Sequence, residues 1–156
     1  MPETLPMRSW LFAPGDAARK MEKCADSAAD IALFDLEDAV TVEQKPTART
    51  LVRKFLQGRG DDHARLWVRI NPVDGPFAVE DLAAVMPGLP GGIMLPKARG
   101  RGDVELLDHY LTALEAANGI EQGTTKVIAL VTEAAEAMFT TGDYAGAPRL
   151  VGMPWG

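Results

Sequence analysis

Six short apolar runs, spaced along the 156 residues, constrain the fold of this chain more than any other feature. Most of them are continuously apolar and do not alternate with polar residues, which is typical of strands covered on both faces in a parallel sheet. We therefore predict six parallel strands. They are Ser9–Ala13, Ile31–Leu36, Leu66–Ile70, Gly92–Leu95, Val127–Val131 and Leu150–Met153.

The segments between these runs carry apolar residues at helical spacing. The clearest stripe covers residues 104–114, with Asp103 predicted as its N-cap and Asn118-Gly119 as its end. Three more helices are predicted within residues 17–28, 48–55 and 79–86, and a weaker fifth over 134–139. Strand–helix alternation builds a parallel α/β fold, either doubly wound or a barrel. We predict one domain over residues 1–156, with the order (βα)5β.

Composition restricts the classes of function. The chain is 47% hydrophobic and 24% charged with a net charge of −6, so it lacks the basic excess that a nucleic-acid partner requires. Its single cysteine, Cys24, excludes an internal disulfide and a cysteine-based zinc site. No apolar run approaches the roughly 20 residues of a membrane span, and the first ten residues lack the apolar core of a signal peptide. We therefore expect a cytoplasmic protein with no membrane partner.

Charged residues and Gly/Pro turns lie at the carboxyl ends of five successive predicted strands, where ligands bind in parallel α/β folds. In strand order they are Gly15, then Asp35, Glu37 and Asp38, then Arg69, then Lys97, and finally Glu133.

These residue types suggest a particular chemistry. Carboxylates on the second and fifth strands suit Mg²⁺, which favours one or two carboxylates together with water and substrate oxygens. The planar fork of Arg69 suits a substrate carboxylate, Lys97 adds a second positive charge, and the turn at Gly15 exposes amide N–H groups to an anion. Together they suit a reaction that forms an enolate.

Structural roles for the same residues remain open. Glu37 and Asp38 could cap the following helix, and Arg69 could pair with Asp35 or Glu37 instead of binding a ligand. Lys97 could be solvated and Gly15 could be a turn residue. Glu133 is harder to explain in this way, because an acid that ends an apolar strand is unfavourable unless it is paired or bound to a metal. Outside the strand ends, we predict a buried Cys24 and surface positions for both histidines, at 63 and 109.

Seven motifs in order resemble the citrate lyase β-subunit-like proteins of the HpcH/HpaI aldolase and malyl/citryl-CoA lyase superfamily. Together they cover nearly the whole chain, which makes the resemblance more specific than any one motif. The motifs are RSWLFAPG (8–15), FDLEDAV (34–40), KPTAR (45–49), VRINP (68–72), MLPKA (94–98), IALVTEAAEAMF (128–139) and LVGMPWG (150–156).

The resemblance implies a TIM barrel and a Mg²⁺-dependent carbon–carbon lyase that cleaves a 3-hydroxyacyl-CoA thioester, such as citryl-CoA or malyl-CoA, to an oxo acid and acetyl-CoA through a metal-stabilised enolate. It also implies roles for individual residues. Arg69 would bind the oxo-acid carboxylate, and Glu133 would be a Mg²⁺ ligand. Asp35, Glu37 and Asp38 would line the site and order metal-bound water, and Arg8, Gly15 and Lys97 would lie in the substrate or CoA region. A homo-oligomer, a trimer or hexamer, is implied as well.

The sequence departs from the family pattern at two places. Ala134 follows Glu133 where the family often has threonine, and the chain stops at Trp155-Gly156, before a family motif whose aspartate would be the second metal ligand. A complete TIM barrel takes roughly 250 residues, so we expect an incomplete barrel with open edges, a fragment that is inactive alone. The alternatives are a CoA-independent metal aldolase that releases pyruvate and a non-catalytic half-barrel that acts as an interaction module.

Overall fold

The computed structural model describes residues 6–156 and contains one sheet of six parallel strands. The strands are β1 (Trp10–Pro14), β2 (Ile31–Asp35), β3 (Leu66–Arg69), β4 (Gly92–Leu95), β5 (Lys126–Ala129) and β6 (Leu150–Gly152). All six predicted strands are confirmed to within two residues at each end. They lie side by side in chain order, with β1 and β6 at the edges. A doubly wound sheet reverses its strand order at a switch point, so this order confirms a barrel-type sheet, which is not closed in the described residues.

Four α-helices connect the strands, as predicted. They are α1 (Ala18–Ala25), α2 (Lys45–Gln57), α3 (Ala78–Val85) and α4 (Arg101–Ala117). Short 3₁₀ segments cover Val42–Gln44, Gly60–Arg65, Met86–Gly88, Ala135–Phe139 and Thr141–Tyr144. No helix within residues 6–156 is both long enough and apolar enough to cross a bilayer.

The prediction of a fifth α-helix over residues 134–139 is wrong, because Ala135–Phe139 forms a 3₁₀ segment. Within it only Ala137 is buried, and Phe139 is 92% exposed. A short helix is stable in water only when it packs an apolar face against the protein, and this segment has almost no such face.

Helix α4 ends where the sequence predicts but begins earlier. Asn118 and Gly119 form a Schellman motif, in which Gly119 has φ +68° and the Ile120 N–H donates to the Glu115 carbonyl at 2.9 Å. The prediction of Asp103 as N-cap is wrong, since the helix starts at Arg101. The Asp103 carboxylate lies inside the first turn and accepts the backbone N–H of Arg99 at 2.8 Å.

The two faces of the sheet bury different sets of side chains. The outer face packs against the helices and forms the larger apolar core, which includes the predicted buried Cys24. The inner face carries a second cluster, formed by Ile31, Leu33, Trp67, Met94, Ile128 and Leu130, with Trp10 packed edge-to-face on Trp67. Of the two histidines predicted on the surface, His109 is exposed, but His63 is half-buried and its Nδ1 is inaccessible to water.

A buried ion pair joins α4 to Arg149, the residue that directly precedes β6. The Arg149 guanidinium donates to both carboxylate oxygens of Glu115, at 2.7 and 2.9 Å, and Glu115 also accepts the amide N–H groups of Gly123 at 2.8 Å and Thr125 at 2.9 Å. Burial alone would raise the pKa of Glu115, but the bonds from Arg149 and Thr125 outweigh burial and lower this pKa from 4.5 to about 2. The ionised carboxylate therefore stabilises the attachment of β6.

We predict that this pair makes stability depend on acid pH. Because the pKa of Glu115 is about 2 in the folded chain against 4.5 as its ordinary value, its contribution is complete above pH 4.5 and disappears as the pH falls toward 2. Glu115→Gln should lower the free energy of unfolding at pH 7 and reduce its slope between pH 4.5 and 2, measured by urea denaturation. Glu121→Gln, on the exposed loop nearby, is the control; equal slopes for wild type and Glu115→Gln would contradict the prediction.

Gly15 occupies a turn in which a larger side chain has no room. Its N–H donates to the Asp35 carbonyl oxygen at 2.8 Å, and a Cβ at this position would lie 2.8 Å from that oxygen and 2.9 Å from Cγ2 of Val52. The glycine is therefore required by the close approach of the turn to β2 and α2.

We predict that Gly15→Ala lowers the free energy of unfolding by about 1–3 kcal/mol, because the added methyl group meets backbone and core atoms. The matched control is Gly102→Ala in α4, where an added Cβ meets nothing within 4 Å. That change should be neutral or stabilising by up to about 1 kcal/mol, because alanine favours a helix over glycine. Equal effects of the two substitutions in urea denaturation would contradict this reading of the turn.

Candidate active site

Arg69 and Asp35 form a bidentate ion pair at the carboxyl ends of β3 and β2. The two residues are partners in the register of these strands, and Arg69 donates from Nε and Nη2 to the two carboxylate oxygens, at 2.8 and 2.7 Å. Asp35 also accepts the amide N–H groups of Glu37 and Ala39, both at 2.9 Å. Burial would raise the pKa of Asp35, but these hydrogen bonds, led by those from Arg69, hold it below its ordinary value.

Glu37 is buried between two cations. Its Oε2 lies 3.2 Å from Nη1 of Arg69 and its Oε1 lies 2.7 Å from Nζ of Lys97, but neither oxygen receives an aligned hydrogen bond. Burial raises the pKa of Glu37, and the two cations offset this only in part. Arg69 therefore contacts both Asp35 and Glu37, the two structural partners that the sequence left open.

Lys97 links Glu37 to Glu133. Its backbone adopts a left-handed conformation, with φ +51°, which is uncommon for a residue with a side chain. From this position its N–H donates to Oε2 of Glu133 at 2.7 Å, while its ammonium contacts Glu37 and lies 3.4 Å from the exposed carboxylate of Asp38. The contact with Glu37 raises the pKa of Lys97. Lys97 is thus bound within the site, although its side chain stays partly exposed.

Arg69 and Glu133 line one cavity of about 320 Å³ on the inner face of the sheet. The rest of its wall is mainly apolar, and the Arg69 guanidinium lies 5.1 Å from the centre of the Phe12 ring. An apolar wall weakens solvent screening of charges. The other lining residues are Trp10, Phe12, Met94, Ile128, Leu130, Pro154, Trp155 and Gly156.

A second cavity, of about 550 Å³, lies between the loops that follow β2, β3 and β4. Glu37, Asp38 and Lys97 line it, and Lys45 lies in its wall. Glu37 and Lys97 line this second cavity and also contact Arg69 and Glu133, which line the first one.

Two of the predicted site residues are placed differently. Arg8 precedes β1 and so lies at the amino end of the sheet, where its guanidinium pairs with Asp30 at 3.2 Å. The structure does not bring it to the carboxyl-end cluster. Gly15 lies at the carboxyl end of β1, but its own N–H is taken by the Asp35 carbonyl and is not available to an anion. Their roles in binding substrate and cofactor stay predictions.

Sequence reasoning missed a polar network behind the site. Asp81 is fully buried in α3 and accepts from Nε of Arg49 at 2.7 Å and from the backbone and side-chain amides of Asn71 at 2.8 and 2.6 Å. Lys45 is buried as well. Arg49, Asn71 and Lys45 all belong to motifs that signalled the resemblance, whereas nothing in the sequence marks Asp81 as different from a surface acid on a helix.

The donor chemistry fits Mg²⁺ in part. Glu133 offers a carboxylate in the cavity, and a hard cation with waters and substrate oxygens needs only one or two such groups. Within residues 6–156 no group of three or more His, Cys, Asp or Glu side chains is arranged to hold a metal. Glu133 is therefore the residue that would hold the ion, with the remaining positions left to water and substrate.

Comparison with known proteins agrees with this geometry. The chain is 37% identical over 124 residues to a citrate lyase subunit beta of Haemophilus influenzae, and the alignment covers 80% of this chain and 43% of that protein. It is 32% identical over 151 residues to a (3S)-malyl-CoA thioesterase of Cereibacter sphaeroides, covering 97% of this chain and 49% of the relative. The fold matches the citrate lyase beta subunit of Mycobacterium tuberculosis complexed with oxaloacetate and magnesium, with a TM-score of 0.73 and 35% identity, over 94% of this chain and 56% of that one.

The chain thus spans about half the length of the curated relatives that it matches. Residues 8–154, nearly the whole sequence, match the family described as HpcH/HpaI aldolase/citrate lyase. This match confirms the resemblance carried by the seven motifs. The chain belongs to the HpcH/HpaI aldolase/citrate lyase family.

Proposed function

We propose that this chain provides the oxo-acid-binding part of a Mg²⁺-dependent carbon–carbon lyase. The substrate class is a 3-hydroxyacyl-CoA thioester such as citryl-CoA or malyl-CoA. Its carbon–carbon bond breaks as the hydroxyl loses its proton and becomes the carbonyl of the oxo acid. The electron pair passes to the thioester enolate, which takes up a proton to give acetyl-CoA.

The observation that carries the proposal is the shared cavity of Arg69 and Glu133. A guanidinium has five N–H donors, and Nε and Nη2 of Arg69 each donate one hydrogen to Asp35, while Nη1 makes an ionic contact with Glu37. Three donors, one on Nη2 and two on Nη1, therefore have no hydrogen-bond acceptor within residues 6–156 and can serve the carboxylate of an oxo acid. Because Asp35 and Glu37 fix the plane of the guanidinium, these donors keep their direction before the ligand arrives.

Glu133 complements this arrangement within the same cavity. The N–H of Lys97 orients its carboxylate, as a bound metal ligand is oriented by its neighbours. When bound, Mg²⁺ supplies Lewis-acid stabilisation of the negative charge that develops on the substrate oxygen. The cavity wall around Trp10 and Trp155 is mainly apolar, which weakens solvent screening of these electrostatic interactions.

The names of the relatives support a CoA thioester as the substrate. One is a malyl-CoA thioesterase, and a solved relative holds oxaloacetate and magnesium. The CoA-independent aldolase remains the alternative within enzymes. Mass spectrometry of the products formed from malyl-CoA, citryl-CoA and a free hydroxy-oxo acid distinguishes the CoA-thioester lyase from the CoA-independent aldolase. The same assay tests the expectation that the 156-residue chain alone converts none of these substrates.

The assembly and location of the protein also remain proposals. The edge strands β1 and β6 present unpaired backbone groups, which favour contacts with another chain. We propose a homo-oligomer, a trimer or hexamer, in the cytoplasm. Sedimentation analysis tests the assembly. A stable monomer would argue against both the homo-oligomer and the interaction-module alternative.

We predict that Arg69→Lys weakens oxaloacetate binding in the presence of Mg²⁺ by about tenfold to a hundredfold, because lysine keeps the charge but loses the planar fork. Isothermal titration calorimetry measures the dissociation constant. Arg53→Lys, an exposed position on α2, is the matched control and should leave it unchanged. Equal affinity of wild type and Arg69→Lys would contradict the role of Arg69.

We predict that Glu133→Gln reduces Mg²⁺ affinity by at least about tenfold, since the substitution removes the anionic ligand. Titration with Mg²⁺ monitored by tryptophan fluorescence is suitable, because Trp10 and Trp155 line the same cavity. Glu136→Gln, on the adjacent exposed 3₁₀ segment, is the control. The assignment of Glu133 fails if both variants bind Mg²⁺ alike.

A further inference from the structure

The five residues that follow β2, residues 36–40, form a loop that presents Glu37 and Asp38 to the site; we call it the carboxylate loop. Three of its backbone carbonyls converge on one buried ammonium. Nζ of Lys45 donates to the carbonyl oxygens of Leu36 at 2.8 Å, Glu37 at 3.1 Å and Val40 at 3.3 Å. The loop is therefore folded around a cation.

These contacts account for all the hydrogen-bonding capacity of Lys45. An ammonium has three donors, and each has a carbonyl partner here. Lys45 is only 5% exposed, so its charge is largely removed from water and depends on these carbonyls for its stabilisation. The dependence is mutual, because without the ammonium the carbonyl oxygens of three buried residues would lose a charged donor.

The position of Lys45 in α2 argues that it does more than stabilise the helix. It is the first residue of α2, where the positive end of the helix dipole disfavours a cation. Residue 46 is proline, which fits the first turn and fixes the start of the helix beside the loop. Because neither burial nor the helix dipole favours a cation here, we attribute the presence of Lys45 to its hydrogen bonds with the carboxylate loop.

We propose that Lys45 is a positioning residue whose ammonium holds the carboxylate loop in the conformation that sets Glu37 between Arg69 and Lys97. Lys45 does not contact the cavity of Arg69 and Glu133. It acts through Glu37, which lies 3.2 Å from Arg69 and 2.7 Å from Lys97. Only its effect on ligand binding rests on the proposed function; its hold on the loop does not.

A second contact reaches the same loop from β3. Nδ2 of Asn71 donates to the Leu36 carbonyl at 2.9 Å, and Asn71 is itself held by Asp81. Asn71 fixes the start of the loop, whereas Lys45 also binds the carbonyls of Glu37 and Val40, where the loop turns. Removing the ammonium should therefore loosen the turn and leave β2 in place.

The test compares Lys45→Met with Lys54→Met, which removes an exposed lysine from the same helix. Amide hydrogen exchange measured by NMR should be at least about tenfold faster at residues 37–40 in Lys45→Met and unchanged at residues 32–35 of β2. Lys54→Met should match wild type throughout. Lys45→Gln, which keeps an N–H donor, should fall between them and serves if Lys45→Met does not fold.

The second arm measures the dissociation constant for oxaloacetate with Mg²⁺. It should weaken by about tenfold in Lys45→Met and in Lys45→Ala. Because Lys45 lines the open 550 Å³ cavity, propylammonium should restore binding and loop protection to Lys45→Ala, whereas propanol should not.

Three outcomes overturn the proposal: unchanged exchange at residues 37–40, faster exchange spread evenly over the sheet, or unaltered oxaloacetate affinity despite a loosened loop. If the wild-type chain binds neither Mg²⁺ nor oxaloacetate, the proposed function fails. Hydrogen exchange and its rescue by propylammonium then decide the role of Lys45 alone.

Discussion

The ion pair between Arg69 and Asp35 is the contact on which the rest of the site depends. It is possible because β2 and β3 are parallel and in a register that makes these two residues partners at the carboxyl end of the sheet. A shift of one residue would turn one of the side chains to the helix-covered face. With the pair in place, Arg69 faces the inner cavity in a fixed plane, and Asp35 holds the start of the carboxylate loop through two amide bonds.

Positively and negatively charged side chains alternate along the site, starting from this pair. Glu37 lies between Arg69 and Lys97, and Lys97 joins Glu37 to Glu133 through its side chain and its backbone N–H. Asp35, Glu37 and Arg69 thus each have an opposite charge in contact, which reduces the cost of removing them from water. Lys45 adds a cation that stabilises the backbone of the loop and pairs with no carboxylate among its hydrogen-bond partners.

The strands and most helices could be predicted because their cause is local. A continuous apolar run such as 31–34 is typical of a strand covered on both faces of a parallel sheet, and the stripe of α4 followed by Asn118-Gly119 marks one helix and its end. The predictions failed at positions whose local structure depends on tertiary contacts. Ala135–Phe139 has helical spacing but buries only Ala137, and the Asp103 carboxylate accepts the Arg99 N–H from inside the first turn of α4.

The sequence by itself determined which strand carries each polar residue of the site. Carboxylates lie at the end of β2, an arginine in β3, a lysine after β4 and a glutamate after β5, all at the carboxyl ends, where ligands bind in parallel α/β folds. Only the tertiary structure decided which of these side chains touch. It joined Arg69 to Asp35, placed Arg8 at the opposite end with Asp30, and buried Asp81 and Lys45 behind the site. The physical reason is that a continuous apolar run marks a strand and its end locally, whereas pairing of charges depends on register and burial between segments distant in sequence.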